Sequence, residues 1–406
     1  MQHNKMKILI WGVGANFEKV LCSINYEHCV ITGLVDTVKS GIWKNYKIIS
    51  PEEIKKTEYN LIIISTIYYG GVIRKCMEIG IPIERVYVFW DDKQGECLCI
   101  NEEKRRDILF KSKIKTNAYE QKKLNMPYER GKESIPIIRS GKEALKKIIR
   151  ENKSLCRFGD GEFEIIRGKE RPWFQECNKE LAMRLLEVLK SDDPQILVAI
   201  ADNFGNLDKY TEEAANGIRH YMTGEKTRTD ITKMLDLHKV YFDAYVTRPY
   251  MMYKDKTWAK EIFGLMKQMW KNRKLLIVEG KNSYMGAGND LLDTASNIRR
   301  IICPEKNAFY KYERIFESIC KYVQADEMVL VTLGPTATVL AYDLAKLGIQ
   351  AIDIGQVDNE YEWYRMKSNK REEIPGKCVA ELAYWHTPPM IQNEKYQREI
   401  ITRIID

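Results

Sequence analysis

Long apolar runs are absent from this chain of 406 residues. No stretch approaches the roughly 20 consecutive apolar residues that a membrane-spanning helix needs, and the early apolar run "ILIWGV" is too short for a secretory signal. A cytoplasmic location without a transmembrane segment is the expectation. Histidine is scarce: His3, His28, His220, His238 and His386 stand apart from one another and form no HExxH or histidine-rich ligand set. The ten cysteines follow no repeated spacing, and the one close pair, Cys97 and Cys99, suggests neither a zinc framework nor a disulfide scaffold. A metal, if used, must be held by oxygen. Internal repeats and low-complexity tracts are missing too.

What is present fits a soluble globular chain, with 44% apolar and 30% charged residues, long enough for two or three domains. The net charge of +8 is not a general nucleic-acid signal, because residues 101–150 carry 15 Lys and Arg against 7 Asp and Glu. That excess of 8 accounts for the whole imbalance. A solvated, partly helical connector explains it, with a patch for an acidic membrane surface or polyanion as the alternative.

The expected fold is α/β, with two Rossmann-like parallel-sheet domains. Strands "KILIWGVG", "VITGLVD", "NLIIIST" and "VYVFW" place a first domain at 1–95, followed by a basic linker at 96–134. From 135 to 406 the alternation resumes, with strand candidates "SLCRF", "QILVAI", "KLLIVEG", "EMVLVTLG" and "IQAIDIG". Amphipathic helices such as "NKELAMRLLEVLKS" and "ATVLAYDLAKLG" lie between them, Gly348 ending the second. Gly12 and Gly14 with Asp36 imitate a dinucleotide fingerprint, but Phe17 occupies the third glycine position. An NAD(P)-dependent oxidoreductase or epimerase is one rival function. A non-catalytic nucleotide-sugar-binding protein is another.

Ligands of open α/β sheets sit beyond the carboxyl ends of the strands, and the polar motifs share that address. In "RFGDGEFE", Asp160 and Glu162 alternate by two, so in extended backbone both carboxylates point the same way, while Gly159 lets a ligand approach beside Phe158. Two such carboxylates are the minimum protein share of a Mn2+ or Mg2+ site, the rest coming from water and phosphate. An acidic turn with a capping Asp is the plainer alternative. The loop "VEGKNSYMGAGND" leaves a strand at Glu279 and Gly280, passes Ser283 and Gly288, and is expected to enter a helix near Asn289 and Asp290, offering backbone N–H groups to phosphate. It lacks a Walker ending. "GPTAT" opens a helix with Pro335, and Thr336 and Thr338 supply hydroxyls near its start; ordinary capping is the alternative. "DIGQVDNEYEWY" clusters Asp353, Asp358, Glu360 and Glu362 with aromatic rings, a setting for a sugar and a base, or else an amphipathic helix with a solvated acidic face. Arg248 is a candidate phosphate clamp, with a surface ion pair as the rival reading.

Taken in order, "RFGDGE", "EGxxSxxGxGND", "NAFYKYERI", "GPTATVLAYDLAxxGxQAIDIG" and "DNEYEWY" resemble the GT-D fold glycosyltransferases over about residues 135–390. The resemblance implies transfer of a hexose, glucose first among candidates, from a UDP-sugar to a glycan or glycoprotein acceptor, in protein or surface-polysaccharide glycosylation. It also implies that Asp160 and Glu162 match an Asp-x-Glu pair assisted by a divalent ion, preferably manganese. Gln356 stands where the family more usually carries histidine and cannot take a proton, so the base is assigned to Asp358 or Glu360. No nucleic acid is expected as a partner, and association into a homo-oligomer is left open.

Overall fold

A computed structural model of the protein describes residues 5–14, 17–66, 69–90, 113–117, 135–169, 175–223, 227–377, 379 and 393–405. The chain forms two compact units: Met1–Pro127 with Glu212–Arg228, and Tyr128–Thr211 with Thr229–Asp406.

The first unit is built on a sheet of seven strands: β1 (Met6–Trp11), β2 (Cys29–Val35), β3 (Gly41–Trp43), β4 (Tyr46–Ile49), β5 (Leu61–Ile64), β6 (Val86–Trp90) and β7 (Lys113–Asn117). Their spatial order is β3-β4-β2-β1-β5-β6-β7, parallel except at the two edge pairs. Strand β1 alternates between two cores, Ile8 and Ile10 packing on one face and Leu9 and Trp11 on the other. Burial on both faces makes it a near-continuous apolar run, which is why it reads so clearly in the sequence. Strands β3 and β4 are joined through Lys44 and Asn45, both at positive φ, as a two-residue hairpin turn requires. Strand β7 carries the sheet past residue 95, where the sequence reading ended the domain. The rest of the expected linker, apart from those five residues, lies outside the described residues.

The second unit holds nine strands, β8 (Ile137–Arg139), β9 (Ser154–Phe158), β10 (Ile196–Ile200), β11 (Val240–Asp243), β12 (Lys274–Gly280), β13 (Asn297–Cys303), β14 (Glu327–Thr332), β15 (Ala351–Asp353) and β16 (Ile400–Arg403). Every neighbouring pair is parallel, in the order β16-β13-β12-β14-β15-β9-β10-β11-β8. The helices are set by local signals. Helix Gly141–Glu151 begins with a reciprocal cap, in which Ser140 Oγ accepts from Glu143 N and Glu143 Oε2 accepts from Ser140 N. Helix Lys179–Lys190 is capped by Asn178 and buries Leu181, Leu185, Val188 and Leu189 at helical spacing. Helix Pro335–Lys346 starts on its proline, is buried along most of its length, and is followed by Gly348 at φ 78°.

One feature of this topology positions the site. From β9 the chain steps outward through β10 and β11, whereas β14 and β15 return to the other side of β9. The strand order therefore switches at β15/β9. Register brings the carboxyl ends level: Phe158 lies beside Ile200, and Ile200 beside Asp243.

Candidate active site

At the switch point the end of β9 is tied to three other elements by Arg157. Its Nη2 donates to Asp353 Oδ1 at 2.7 Å, its Nε to the Asp353 carbonyl at 2.8 Å, and its Nη1 to Thr247 Oγ1 at 2.8 Å. The Thr338 hydroxyl donates to the Arg157 carbonyl at 2.9 Å and lies 3.3 Å from Asp353 Oδ2. Gly355 makes room for the guanidinium: it sits at φ 54°, and a Cβ there would run into Arg157 Nη2. Burial pushes the Asp353 carboxyl above its usual range, and Arg157 pulls against that rise.

Asp160 and Glu162 follow two and four residues after Phe158, but not in extended backbone. Helix Asp160–Ile166 begins at once, so they are its first and third residues, about 200° apart around the axis. The same-side geometry expected of a strand end is corrected accordingly. Capping turns the Glu162 carboxylate back toward the start of the helix, while Asp160 Oδ1 accepts from Gly161 N at 2.9 Å. Glu162 Oε2 reaches back to accept from Gly159 N at 2.7 Å, drawing the carboxylate to the end of the helix where Asp160 stands exposed. Burial and the charge of Asp353 push Glu162 up to about 7. It is a half-buried carboxyl whose ionised form nearby positive charge would favour.

The neighbouring strand ends complete a rim. After β11, the turn Ala244–Thr247 is capped by Asp243, whose Oδ1 accepts from Tyr245 N at 2.9 Å while Oδ2 accepts from the Tyr253 hydroxyl at 2.8 Å. Burial and the nearby Asp202 raise Asp243 to about 6. Tyr245 donates its hydroxyl to Asn203 Oδ1 at 2.7 Å. Burial, then the charge of Asp160, raises the pKa of that hydroxyl, and Arg248 opposes the shift.

This arrangement, a nine-stranded parallel sheet with an acid-glycine-acid turn at its switch point, coincides with a family match. The profile of the glycosyltransferase GT-D fold matches residues 155–382, more than half of the chain. The chain belongs to the GT-D fold glycosyltransferase family. A second profile, described as C2185-like, N-terminal, matches residues 4–87. Glycosyltransferase GlyD of Streptococcus pneumoniae is 32% identical over 342 residues, 83% of this chain and 40% of that protein. A protein of Streptococcus gordonii described as a probable glycosyl transferase is 33% identical over 265 residues, 64% of this chain and 38% of its own length. The chain thus spans about two fifths of the length of the curated relatives it matches. A solved structure described as showing that the highly conserved domain of unknown function 1792 has a distinct glycosyltransferase fold superimposes with a TM-score of 0.63 at 35% identity. It covers 70% of this chain and 99% of that one. A glycosyltransferase structure from Streptococcus sanguinis superimposes with a TM-score of 0.62 at 32% identity, covering 66% of this chain and all of its own, 100%.

Within the GT-D unit the residues singled out from sequence separate into two groups. Phe158, Gly159, Asp160, Glu162, Arg248, Thr338 and Asp353 gather at the switch point. The others have framework partners. Glu279 is fully buried, accepting from Arg300 Nη1 at 2.7 Å, Tyr396 Oη at 3.0 Å and Met285 N at 2.8 Å. Its carboxylate is spent on holding β12 to β13, so it does not present itself to a donor. Beyond Gly280 and Ser283 the expected helix at Asp290 does not form; turns lead straight to β13. Asn289 Nδ2 bonds Asp358 Oδ1 and Glu362 Oε1, each at 2.7 Å, and Asp290 pairs with Lys267. Gly288, Asn289 and Asp290 line a cavity of about 380 Å3 with Arg300 and Tyr396, away from β9. Pro335 fills the first helical turn, and Thr336 is buried against Gln175, its hydroxyl 3.3 Å from Oε1.

The two base candidates differ from the sequence reading in the same way. Asp358 and Glu362, four residues apart on helix Val357–Met366, share Lys377 Nζ at 2.6 and 2.9 Å. Glu360 faces elsewhere and accepts from the backbone N–H groups of Tyr250 and Met251, each at 2.9 Å. All three carboxylates are buried, so the acidic face offered as a solvated one is packed. Arg157, Thr247, Asn203 and Tyr245 were not singled out. A lone arginine inside the apolar run "SLCRF" was the one available signal, because a charge on a buried strand must be paired.

In the first unit, Asp36 turns back on its own loop. Its oxygens accept from Val13 N at 3.1 Å, Val38 N at 2.9 Å and Lys39 N at 3.0 Å, and Lys39 Nζ caps the Val13 carbonyl at 2.6 Å. The carboxylate that a ribose would need is already engaged.

Proposed function

We propose that the chain transfers a hexose, glucose first, from a UDP-sugar to a hydroxyl of a glycan or glycoprotein acceptor, with Asp160 and Glu162 holding a divalent cation against the diphosphate. The observation that carries this reading is the Gly159–Glu162 turn at the β15/β9 switch point. There the Glu162 carboxyl, raised to about 7, and the exposed Asp160 share the first turn of one helix, and Arg157 at the end of the preceding strand is bound to Asp353. The donor set fits Mn2+ or Mg2+: two hard oxygens from protein, the rest from phosphate and water. Among the described residues no group of three or more His, Cys, Asp or Glu side chains that could hold a metal ion occurs.

When bound, the cation would supply positive charge for the diphosphate as the bond to the sugar's anomeric carbon breaks. The protein does the positioning. Arg157 fixes the end of β9 against β15 and the 244–247 turn. Gly159 keeps the approach to the turn open, and Arg248, which follows the 244–247 turn, is the guanidinium assigned to the phosphate oxygens. In the balanced reaction the anomeric carbon exchanges its diphosphate oxygen for the acceptor oxygen, and the acceptor's proton leaves to solvent or a base. Asp358 and Glu360, occupied in the framework, are not assigned that role. The nicotinamide alternative gains nothing from Asp36, and binding without turnover stays as an experimental outcome.

The test is release of UDP from UDP-glucose with manganese, by the chain and by Asp160→Asn and Glu162→Gln. Each variant should lose roughly a hundredfold or more, the scale of removing one electrostatic contact to the developing charge. Undiminished turnover by both variants contradicts the assignment.

A further inference from the structure

The rim beside Asp160 carries a polar pair that the diphosphate reading does not use. Asn203 follows the end of β10, and Tyr245 opens the turn after β11. Because Phe158, Ile200 and Asp243 are in register, Asp160, Asn203 and Tyr245 emerge side by side from adjacent strands.

Behind this pair the packing is continuous. The Tyr245 ring packs edge-on against Tyr210, with centroids 5.6 Å apart, and Tyr210 is fully buried with its hydroxyl on the Asp202 carbonyl at 3.0 Å. Tyr210 in turn packs on Tyr253, which bonds Asp243, which caps the backbone of Tyr245. The other end of the turn is fastened through Thr247 to Arg157. Asn203 and Tyr245 themselves are only half-buried. A framework that holds two partly open polar groups in one place is what a site reading a single hydroxyl needs.

The hydrogen-bond chemistry is directional. Tyr245 gives its one O–H proton to Asn203 Oδ1, so its oxygen can only accept from a further group, while the Asn203 NH2 is left to donate and Oδ1 keeps a second lone pair. We propose that Asn203 and Tyr245 form a sugar-hydroxyl subsite beside Asp160, which takes one pyranose hydroxyl as donor to Tyr245 and acceptor from Asn203, and so sets which sugar is accepted. A hydroxyl that both donates and accepts satisfies the pair; its epimer, pointing elsewhere, leaves both groups without their partner. The hydroxyl can belong to the hexose of the donor or to the acceptor glycan, and this inference rests on the donor reading above.

The variants are Tyr245→Phe, which keeps the ring packed on Tyr210, and Asn203→Ala. In the donor arm, calorimetry with manganese compares UDP, UDP-glucose and UDP-galactose. In the acceptor arm, KM is measured for glucose and N-acetylglucosamine at saturating UDP-glucose. UDP itself should bind both variants within twofold of the parent. In one arm the preference of the parent chain between the two sugars should shrink by roughly tenfold, the value of one hydrogen bond lost. A change in the donor arm places the donor hexose at the pair; a change in the acceptor arm places the acceptor there. If both variants bind UDP normally and keep the parent's preference within twofold in both arms, the subsite is overturned while the donor reading stands. A parent chain that binds no UDP overturns the donor reading and this inference with it.

Discussion

Replacing Arg157 with methionine tests how much the switch point depends on one buried cation. The substitution keeps much of the side-chain bulk and removes three hydrogen bonds, two to Asp353 and one to Thr247. Asp353 is 2% exposed, so its carboxylate keeps only Thr338 and the backbone N–H of Gly355 nearby. Removing one partner of a buried pair costs about 3–5 kcal/mol, and protonation of the orphaned acid moves the figure toward the lower end, about 3 kcal/mol. For a domain of this size each kcal/mol lowers Tm by roughly 2–4 °C, so the melting transition of the GT-D unit should fall by about 6–12 °C. The loss should grow with pH. Burial already raises the Asp353 pKa, and without the guanidinium it rises further. The native state then holds a proton that the unfolded state has released, and stability falls as pH climbs through that window. Denaturant melts of Arg157→Met at pH 5 and pH 8 measure both effects, and Asp353→Asn in the same background should recover part of the loss. A cost below about 1 kcal/mol at pH 8, or no difference between the two pH values, refutes the reasoning.

Other expectations follow from the same geometry. Gly355→Ala combines a positive φ with a clash against the guanidinium and should cost about 2–3 kcal/mol in a denaturant melt, falling to the φ strain alone, about 1–2 kcal/mol, in the Arg157→Met background. Glu162 is raised from its usual 4.5 to about 7, so its contribution to stability should decline between those values by on the order of 2 kcal/mol. Melts across that range should lose the slope in Glu162→Gln, and in the parent chain when manganese is saturating. Glu279→Ala, which leaves fully buried Arg300 short of a partner, should destabilise by about 3–5 kcal/mol in thermal melts, yet leave UDP affinity unchanged where the protein is still folded.

Much of the fold could be read from the chain because parallel strands buried on both faces are unbroken apolar runs. Strands β1, β5, β6, β10, β12, β14 and β15 announce themselves in this way, and β2, exposed at Val30 and Thr32, and β9, interrupted by Arg157, still read as largely apolar runs. Strands β3, β4, β8, β11, β13 and β16 do not: they are short, mix polar residues, or lie toward sheet edges, and "NIRRIIC" places a buried arginine in the run. The glycine loop after β12 suggested a helix because Asn289 and Asp290 look like caps. Their side chains are instead drawn to helix Val357–Met366 and to Lys267, contacts no local spacing reveals. Long-range pairing also separated the carboxylates that looked alike in sequence. Asp160 and Glu162 stay at the strand end, Asp353 is neutralised by Arg157, and Asp358, Glu360 and Glu362 are absorbed into the framework. Motif spacing pointed to the carboxyl ends of the strands, and only the fold shows which acids lie at the switch point.

The central claim is that Asp160 and Glu162 grip a cation shared with the diphosphate of an activated sugar. A crystal structure with UDP and manganese tests it most directly. The account predicts one ion bound by a carboxylate oxygen of each residue and by the diphosphate, at roughly 2.1 Å. A diphosphate seated in the cavity beside Arg300 and Tyr396, with no ion at the Gly159–Glu162 turn, contradicts it.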